Sequence, residues 1–245
     1  MCTDCETTQA GPVFGRRHFF GLAAAAAALS TGMARADDCA HFDSEALKAA
    51  SPDQAIQMLM DGNARFVAGG SLNCDLVALG RATAEKQTPF ACVLACMDSR
   101  SAPEQVLDQQ IGDVFVARVA GNVATTEVIG SFEYGTAVAG AKAIMVLGHN
   151  HCGAVKGAVD KAVVGDALTT LLNEIEPAVA ATPLTGERSS HNHEFVEAVA
   201  EANVRMNVAA LTEKSPVLKG LVDSGALKIV GALYNLETGV VTLLS

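Results

Sequence analysis

An α/β fold, with a mostly parallel central sheet flanked by helices, is what three features of this chain predict. Half of its 245 residues are hydrophobic, yet 4% are aromatic and there is no Trp. The core must therefore be built from Val, Ala, Leu and Ile, the usage of buried parallel strands and the helices over them. Continuous apolar runs of strand length recur, the first being Phe90–Cys96, and such runs mark strands buried on both faces. Segments with helical periodicity separate the runs, as crossover connections between parallel strands require.

The first 36 residues stand outside that fold. Gly15-Arg16-Arg17-His18-Phe19-Phe20 sets a twin arginine before a mild apolar run, Gly21 to Leu29, and Ala34-Arg35-Ala36 supplies small residues around a cleavage point. Residues 1–36 are thus expected to be a twin-arginine signal peptide that sends the protein to the periplasm. The run is too short and Ala-rich to span a bilayer stably, so no membrane span is expected after cleavage. Residues 37–245 are expected to be one domain, because no internal repeat and no linker between two compositions divides them.

Loss of Cys2 and Cys5 from the seven cysteines leaves Cys39, Cys74, Cys92, Cys96 and Cys152. An odd number in an exported chain is not a disulfide framework. Cys92 lies inside an apolar strand and reads as a small core residue. Cys39 and Cys74 can pair, though nothing in the sequence requires it. The net charge of −10, without any Lys/Arg cluster, excludes nucleic acid as a partner.

Taken in order, residues 41–70 read as helix, with Ser51-Pro52 as a cap and first-turn pair, Ile56, Leu59, Met60, Asn63 and Phe66 near one face and Gly69-Gly70 as the stop, giving an N-terminal helical arm. Leu76 to Gln87 reads as a second helical piece. Phe90–Cys96 is the first strand, Pro103 to Gln109 a short helix, and Asp113 to Val119 the second strand. Thr126 to Ala139 is a helix leading into a third strand, Ala143 to Leu147, after which Gly148 is expected to turn the chain sharply. Helices follow at 154–163 and 166–180, a polar loop at 182–190, and helices at 194–212 and 216–224. Leu227 to Leu233 is a fourth strand, and Val240 to Leu244 returns beside it as an edge hairpin strand through the turn at Glu237-Thr238-Gly239.

The chemistry gathers at two strand exits. Cys96-Met97-Asp98-Ser99-Arg100 leaves the first strand and His149-Asn150-His151-Cys152 leaves the third, and ligands of open parallel sheets collect outside the carboxyl ends of strands. Two thiols and an imidazole are the donor set of an open catalytic zinc site. Cys96, His149 and Cys152 are the expected ligands, with one zinc ion per chain and its fourth position left for water, whose pKa zinc lowers to near 7. The His149-x-x-Cys152 separation fits best, although spacing alone does not choose between His149 and His151. Cys152 falls where a helix begins, which favours its thiolate. Asp98 can orient the hydroxide or ligate the metal and close the site; a bidentate pair with Arg100 would hold it ionised and away from the metal. The same residues also admit plainer readings: a strand-end Cys as buried filler, Asp98 with Arg100 as an ordinary ion pair, and His191 and His193 as a solvated helix cap.

Cys96-x-Asp98-x-Arg100 followed by His149-x-x-Cys152 resembles the β-class carbonic anhydrases, and the likeness runs from Asn63-Arg65-Phe66 through Arg118-Val119-Ala120-Gly121-Asn122 to the final hairpin. The resemblance implies reversible hydration of carbon dioxide to bicarbonate and a proton, with zinc on Cys96, His149 and Cys152 and an Asp98–Arg100 orienting dyad. It also implies a homodimer or a multiple of dimers, with the N-terminal arm packed on the neighbouring subunit. Gln87 stands where plant-type members carry a Gln that donates a hydrogen bond to substrate; as a residue before Pro89 it can equally be solvated. The chain departs from the family in lacking the Trp of the bicarbonate-inhibited subgroup, and in having Val119 where many members have Asn. Two alternatives stay open: a carbonyl sulfide or carbon disulfide hydrolase on the same fold, and a non-catalytic zinc-binding protein with a closed site.

Overall fold

The computed structural model describes Cys39 and residues 43–183 and 186–245; the expected signal peptide lies outside these residues. The apolar run after Pro89 forms β1 (Ala91–Ala95), whose five residues are all buried. It is the second strand of a five-stranded sheet, beside β2 (Val114–Arg118) on one edge and β3 (Ala143–His149) on the other. Next to β3 lies β4 (Lys228–Tyr234); these four strands are parallel, and β5 (Val241–Leu243) closes the far edge antiparallel to β4.

Because side chains alternate across a strand, β1 feeds two cores. Val93 and Ala95 join Met145 and Leu147 under a layer that includes α2 (Pro52–Val67), through its buried Ala55, Ile56 and Leu59. Cys92 and Leu94 join Ile144 and Val146 on the opposite face, beneath α5 (Thr126–Glu133), α9 (His193–Lys214) and α10 (Pro216–Asp223). A third apolar cluster joins α6 (Gly153–Val159), α7 (Asp166–Asn173), α8 (Glu176–Ala181) and the first half of α9, and takes in Cys96 and Cys152. No helix among the described residues is long and apolar enough to cross a membrane.

Several boundaries differ from the sequence expectation, each for a local reason. The N-terminal helical arm is divided into α1 (Ser44–Ala49) and α2, because Ser51 forms a capping box with Gln54 and Pro52 restricts the residue before it. The segment expected to be helical as far as Gln87 is α3 (Leu76–Ala82) only, capped at Thr83, after which the chain runs without helix to β1. Pro103 begins a single turn, α4 (Pro103–Val106). The helix after Thr126 ends as a π-helical turn at Tyr134–Val138, where a Cβ on Gly135 would lie 2.7 Å from Cys92 Sγ. The expected 166–180 helix is split by Pro177, which opens α8.

Gly148 is a correction of a different kind. It is not a turn: β3 continues through Gly148 to His149 in register with Leu233 and Tyr234. The glycine is there for space, since a Cβ at this position would lie 2.5 Å from Val204 Cγ2. The reversal falls three residues later, at His151, whose φ is +54°. Cys39 and Cys74 form a disulfide that closes a separation of 35 residues.

Candidate metal centre

Parallel pairing of β1 with β3 sets Ala95 opposite Leu147, so the residues just beyond both strands share one end of the sheet. Cys96 follows β1, His149 ends β3, and Cys152 is the N-cap residue of α6. One ligating atom from each lies within 4.8 Å of the others, and the two Sγ atoms are 4.0 Å apart. All three residues are buried.

The imidazole is prepared for a cation. His149 Nδ1 lies 2.8 Å from the carbonyl oxygen of Asn150, which can only accept, so Nδ1 carries the proton and donates it. Nε2 is left with its lone pair, buried and without a hydrogen-bond partner. Asn150 is held in turn: its amide donates to Glu237 Oε2 (2.6 Å) and its Oδ1 accepts from Leu236 N (2.9 Å). The C-terminal hairpin thereby orients the ring through the residue that accepts its proton, the usual support for a metal-ligating His. His151 does not compete, because its Nε2 faces Glu237 Oε1 at 2.7 Å. His193 opens α9 and sets its ring edge-on against His151, apart from the three-residue cluster.

The two thiols are electrically unequal. The neighbouring Cys152 sulfur, together with the Gly121 amide 3.4 Å from Sγ, draws the Cys96 thiol down against the cost of burial. Cys152 is pushed up, first by its contact with the Cys96 sulfur and then by burial. The helix start beside Cys152 acts in the expected direction through the amides of Ala154 and Val155, but more weakly than its neighbour. The two sulfurs share one close contact in which either can be the donor. The lone pair at Nε2 and two adjacent cysteine sulfurs fit a soft divalent cation, whose binding displaces thiol protons.

Asp98 lies outside the three-atom cluster but at the same strand end. Arg100 grips it as a fork, Nε to Oδ1 at 2.9 Å and Nη2 to Oδ2 at 2.8 Å, while the Arg100 amide adds a bond to Oδ1 at 3.0 Å. That side-chain hydrogen bonding, ahead of the opposing desolvation, holds the Asp98 carboxyl well below the usual carboxylate range. The acid is the sheltered partner, with 16% of its side chain exposed against 57% for Arg100.

Gln87 is not brought to this cluster. It precedes β1 and lines a surface cavity with Lys86, Thr88, Tyr134 and Lys142, at the amino end of the strand whose carboxyl end carries Cys96. Five residue steps along that strand alone are about 17 Å. Contact between Gln87 and the metal centre of its own chain is ruled out by that placement.

Some of the site's supports had not been picked out from the sequence. Asn203 and Asn207, one helical turn apart on α9, are buried; Asn203 donates to Gly121 O at 2.8 Å and Asn207 accepts from Ala124 N at 2.7 Å. They fix the turn whose Gly121, at φ +72°, presents its amide to Cys96. Two amides at helical spacing on an otherwise apolar face were the available signal.

A family model described as carbonic anhydrase matches residues 91–241. The chain is 37% identical over 196 residues to a carbonic anhydrase of Mycolicibacterium smegmatis, covering 80% of this chain and 94% of that one. It is 36% identical over 190 residues to carbonic anhydrase 2 of Mycobacterium tuberculosis, covering 77% and 91%. Among solved structures, a tetrameric β-carbonic anhydrase of Sordaria macrospora superposes with a TM-score of 0.59 at 25% identity, covering 67% of this chain and 85% of that one. The Coccomyxa β-carbonic anhydrase in complex with acetazolamide superposes with a TM-score of 0.60 at 26% identity, covering 69% and 80%.

Proposed function

Because this chain belongs to the β class of the carbonic anhydrase family, we propose that it catalyses zinc-dependent, reversible hydration of carbon dioxide to bicarbonate and a proton. The observation that carries the reading is His149 Nε2, a buried lone pair without a partner, facing two cysteine sulfurs. Cys96, His149 and Cys152 would hold the metal. Zinc there supplies the Lewis acidity that makes water nucleophilic near neutral pH.

The chain's own residues do the rest. His149 is locked in one tautomer by the Asn150 carbonyl, so its metal-facing nitrogen needs no rearrangement. Cys96 and Cys152 would both serve as thiolates, releasing the protons they hold as the metal binds. Asp98, ionised by the Arg100 fork, is a fixed acceptor for the O–H of the attacking water and aims the oxygen lone pair at carbon dioxide. The Arg100 fork uses one lone-pair site on each carboxylate oxygen, which leaves acceptor capacity for that O–H while opposing rotation of the carboxylate onto the metal.

Residues 1–36 are proposed to direct export by the twin-arginine route. The Cys39–Cys74 disulfide supports an oxidising destination, and N-terminal sequencing of the mature protein tests it: a start far from Asp37 counts against it. A dimer, or a multiple of dimers, is proposed as the working form. Any role for Gln87 at a metal then needs the site of a second copy.

The deciding experiment is a stopped-flow pH-indicator assay of carbon dioxide hydration by the zinc-loaded mature chain. Turnover that disappears with a chelator and returns with zinc is expected. One zinc per chain with no turnover at any pH would overturn the proposal.

A further inference from the structure

Two backbone carbonyls beside the metal centre lie beyond the reach of the sheet. The last ladder bond between β1 and the β2 side is Val119 N to Ala95 O. Past it, Cys96-Met97-Asp98 leaves the sheet, and Met97, 64% exposed, gives the loop no buried anchor. Arg118, the ladder partner of Ala95 at the end of β2, fills the gap. Its Nε donates to the Cys96 carbonyl at 3.0 Å and its Nη2 donates to the Asp98 carbonyl. Ser101 also bonds the Asp98 carbonyl, through its amide and its hydroxyl, both at 3.1 Å.

Among the described residues Arg118 forms no ion pair. Its fork is committed to two neutral oxygens in a three-residue stretch that carries a metal ligand at one end and the orienting acid at the other. A planar guanidinium holds such a pair in fixed geometry, whereas an ammonium, as a point charge on a flexible stem, does not. We propose that Arg118 is a positioning residue: by clamping the Cys96 and Asp98 carbonyls it sets the distance of the Asp98 carboxylate from the metal position and keeps that carboxylate on Arg100. This rests on the zinc reading above. Displacements near 1 Å at a reacting centre cost about 100-fold, so a loop free to drift by that much passes Asp98 from orienting acid to metal ligand.

The test uses the mature chain loaded with cobalt(II), whose visible absorption reports its ligands, beside the zinc-loaded protein assayed for carbon dioxide hydration. Arg118→Ala is expected to keep one metal per chain, to change the cobalt spectrum, and to lower kcat about 10- to 100-fold with a smaller change in KM. In an Asp98→Ala background the same substitution should leave the spectrum unchanged, because the carboxylate through which Arg118 acts is gone. Arg118→Lys should behave like Arg118→Ala. Rescue by lysine would make the role one of charge and overturn the proposal, as would an equal spectral change in the Asp98→Ala background or no change in either background. Should Arg118→Ala fail to fold, Arg118→Gln, which keeps one amide donor, is read on the same spectrum. The spectral arm needs no turnover, so an inactive parent would count against the proposed reaction and not against the clamp.

Discussion

Val204 of α9 rests on two glycines in neighbouring strands, Cγ2 over Gly148 of β3 and Cγ1 over Gly231 of β4. A methyl at Gly148 would lie 2.5 Å from Val204 Cγ2 and 3.1 Å from Leu233 Cδ2, where carbon atoms prefer about 3.5–4.0 Å. Val204 is fully buried, so the conflict cannot be relieved by swinging a side chain into solvent. Overpacking of this kind costs about 1–3 kcal/mol. The backbone at Gly148 has no positive φ, so alanine also stiffens the unfolded chain and returns about 0.4–1 kcal/mol. Gly148→Ala is therefore expected to destabilise the zinc-loaded protein by about 1–2 kcal/mol, read as a lower urea midpoint at unchanged slope.

The strain should reach the metal centre, since Asn203, beside Val204, holds the Gly121 carbonyl and His149 follows Gly148. Weaker zinc retention in chelator competition is the second expected readout. A compensating change isolates the cause. Val204→Ala alone costs about 2 kcal/mol or more through lost methyls and a cavity, but combined with Gly148→Ala it removes the clashing atom. The pair should then be more stable than the sum of the single changes by about 1 kcal/mol or more. Gly148→Ala at or above parental stability, or strict additivity in the cycle, would refute the packing argument and restore the glycine to a role in chain flexibility.

Replacing both Cys39 and Cys74 by Ser opens a loop of 35 residues; the chain-entropy relation gives about 3.8 kcal/mol, or roughly 8–15 °C in Tm for a domain of this size. A shift near zero in a non-reducing melt would show that the crosslink is absent or its loop already constrained. Burial pushes the Cys92 thiol up to about 12 from 9.0. The unfolded chain therefore releases this proton first as pH rises, and stability falls across that window. The loss from this thiol is about 1 kcal/mol between pH 8.5 and 10, and the Cys92→Ala variant should lack that increment in urea titrations at the two pH values. Cys96→Ser should lose zinc by metal analysis, while Asp98→Ala keeps it and loses most hydration activity; full activity in Asp98→Ala would remove the orienting role.

The legible part of this protein was what one dimension can encode. A run such as Ala91–Ala95 declares a two-sided strand, and the residue after it must emerge at the carboxyl edge, so Cys96 and His149 are brought together by topology and their convergence follows from the sequence. Element ends were less legible where one residue overrides a periodic pattern, as Ser51-Pro52 does within the expected 41–70 helix and Pro177 within the expected 166–180 helix. Gly148 was misread because a glycine kept for clearance between a strand and a helix and a glycine kept for a turn look the same without the partner, here Val204.

The least legible layer was the hydrogen bonding behind the ligands, and the reason is physical. Arg118 on Cys96 O, Asn203 on Gly121 O and His149 on Asn150 O all end on backbone carbonyls, which every residue type presents and which leave no mark at the accepting position. The donors are separated from their targets by 22 residues for Arg118 and 82 for Asn203, beyond any local pattern. The same blindness explains the thiol pair. From sequence, the start of α6 argued for a thiolate on Cys152, a local dipole effect. In the fold the sulfur opposite, 4.0 Å away and itself bonded by the Gly121 amide, outweighs that dipole and pushes the Cys152 thiol up. Ligand identity is thus written along the strands, while the charge each ligand carries before metal arrives is set by groups that meet only once the sheet has formed.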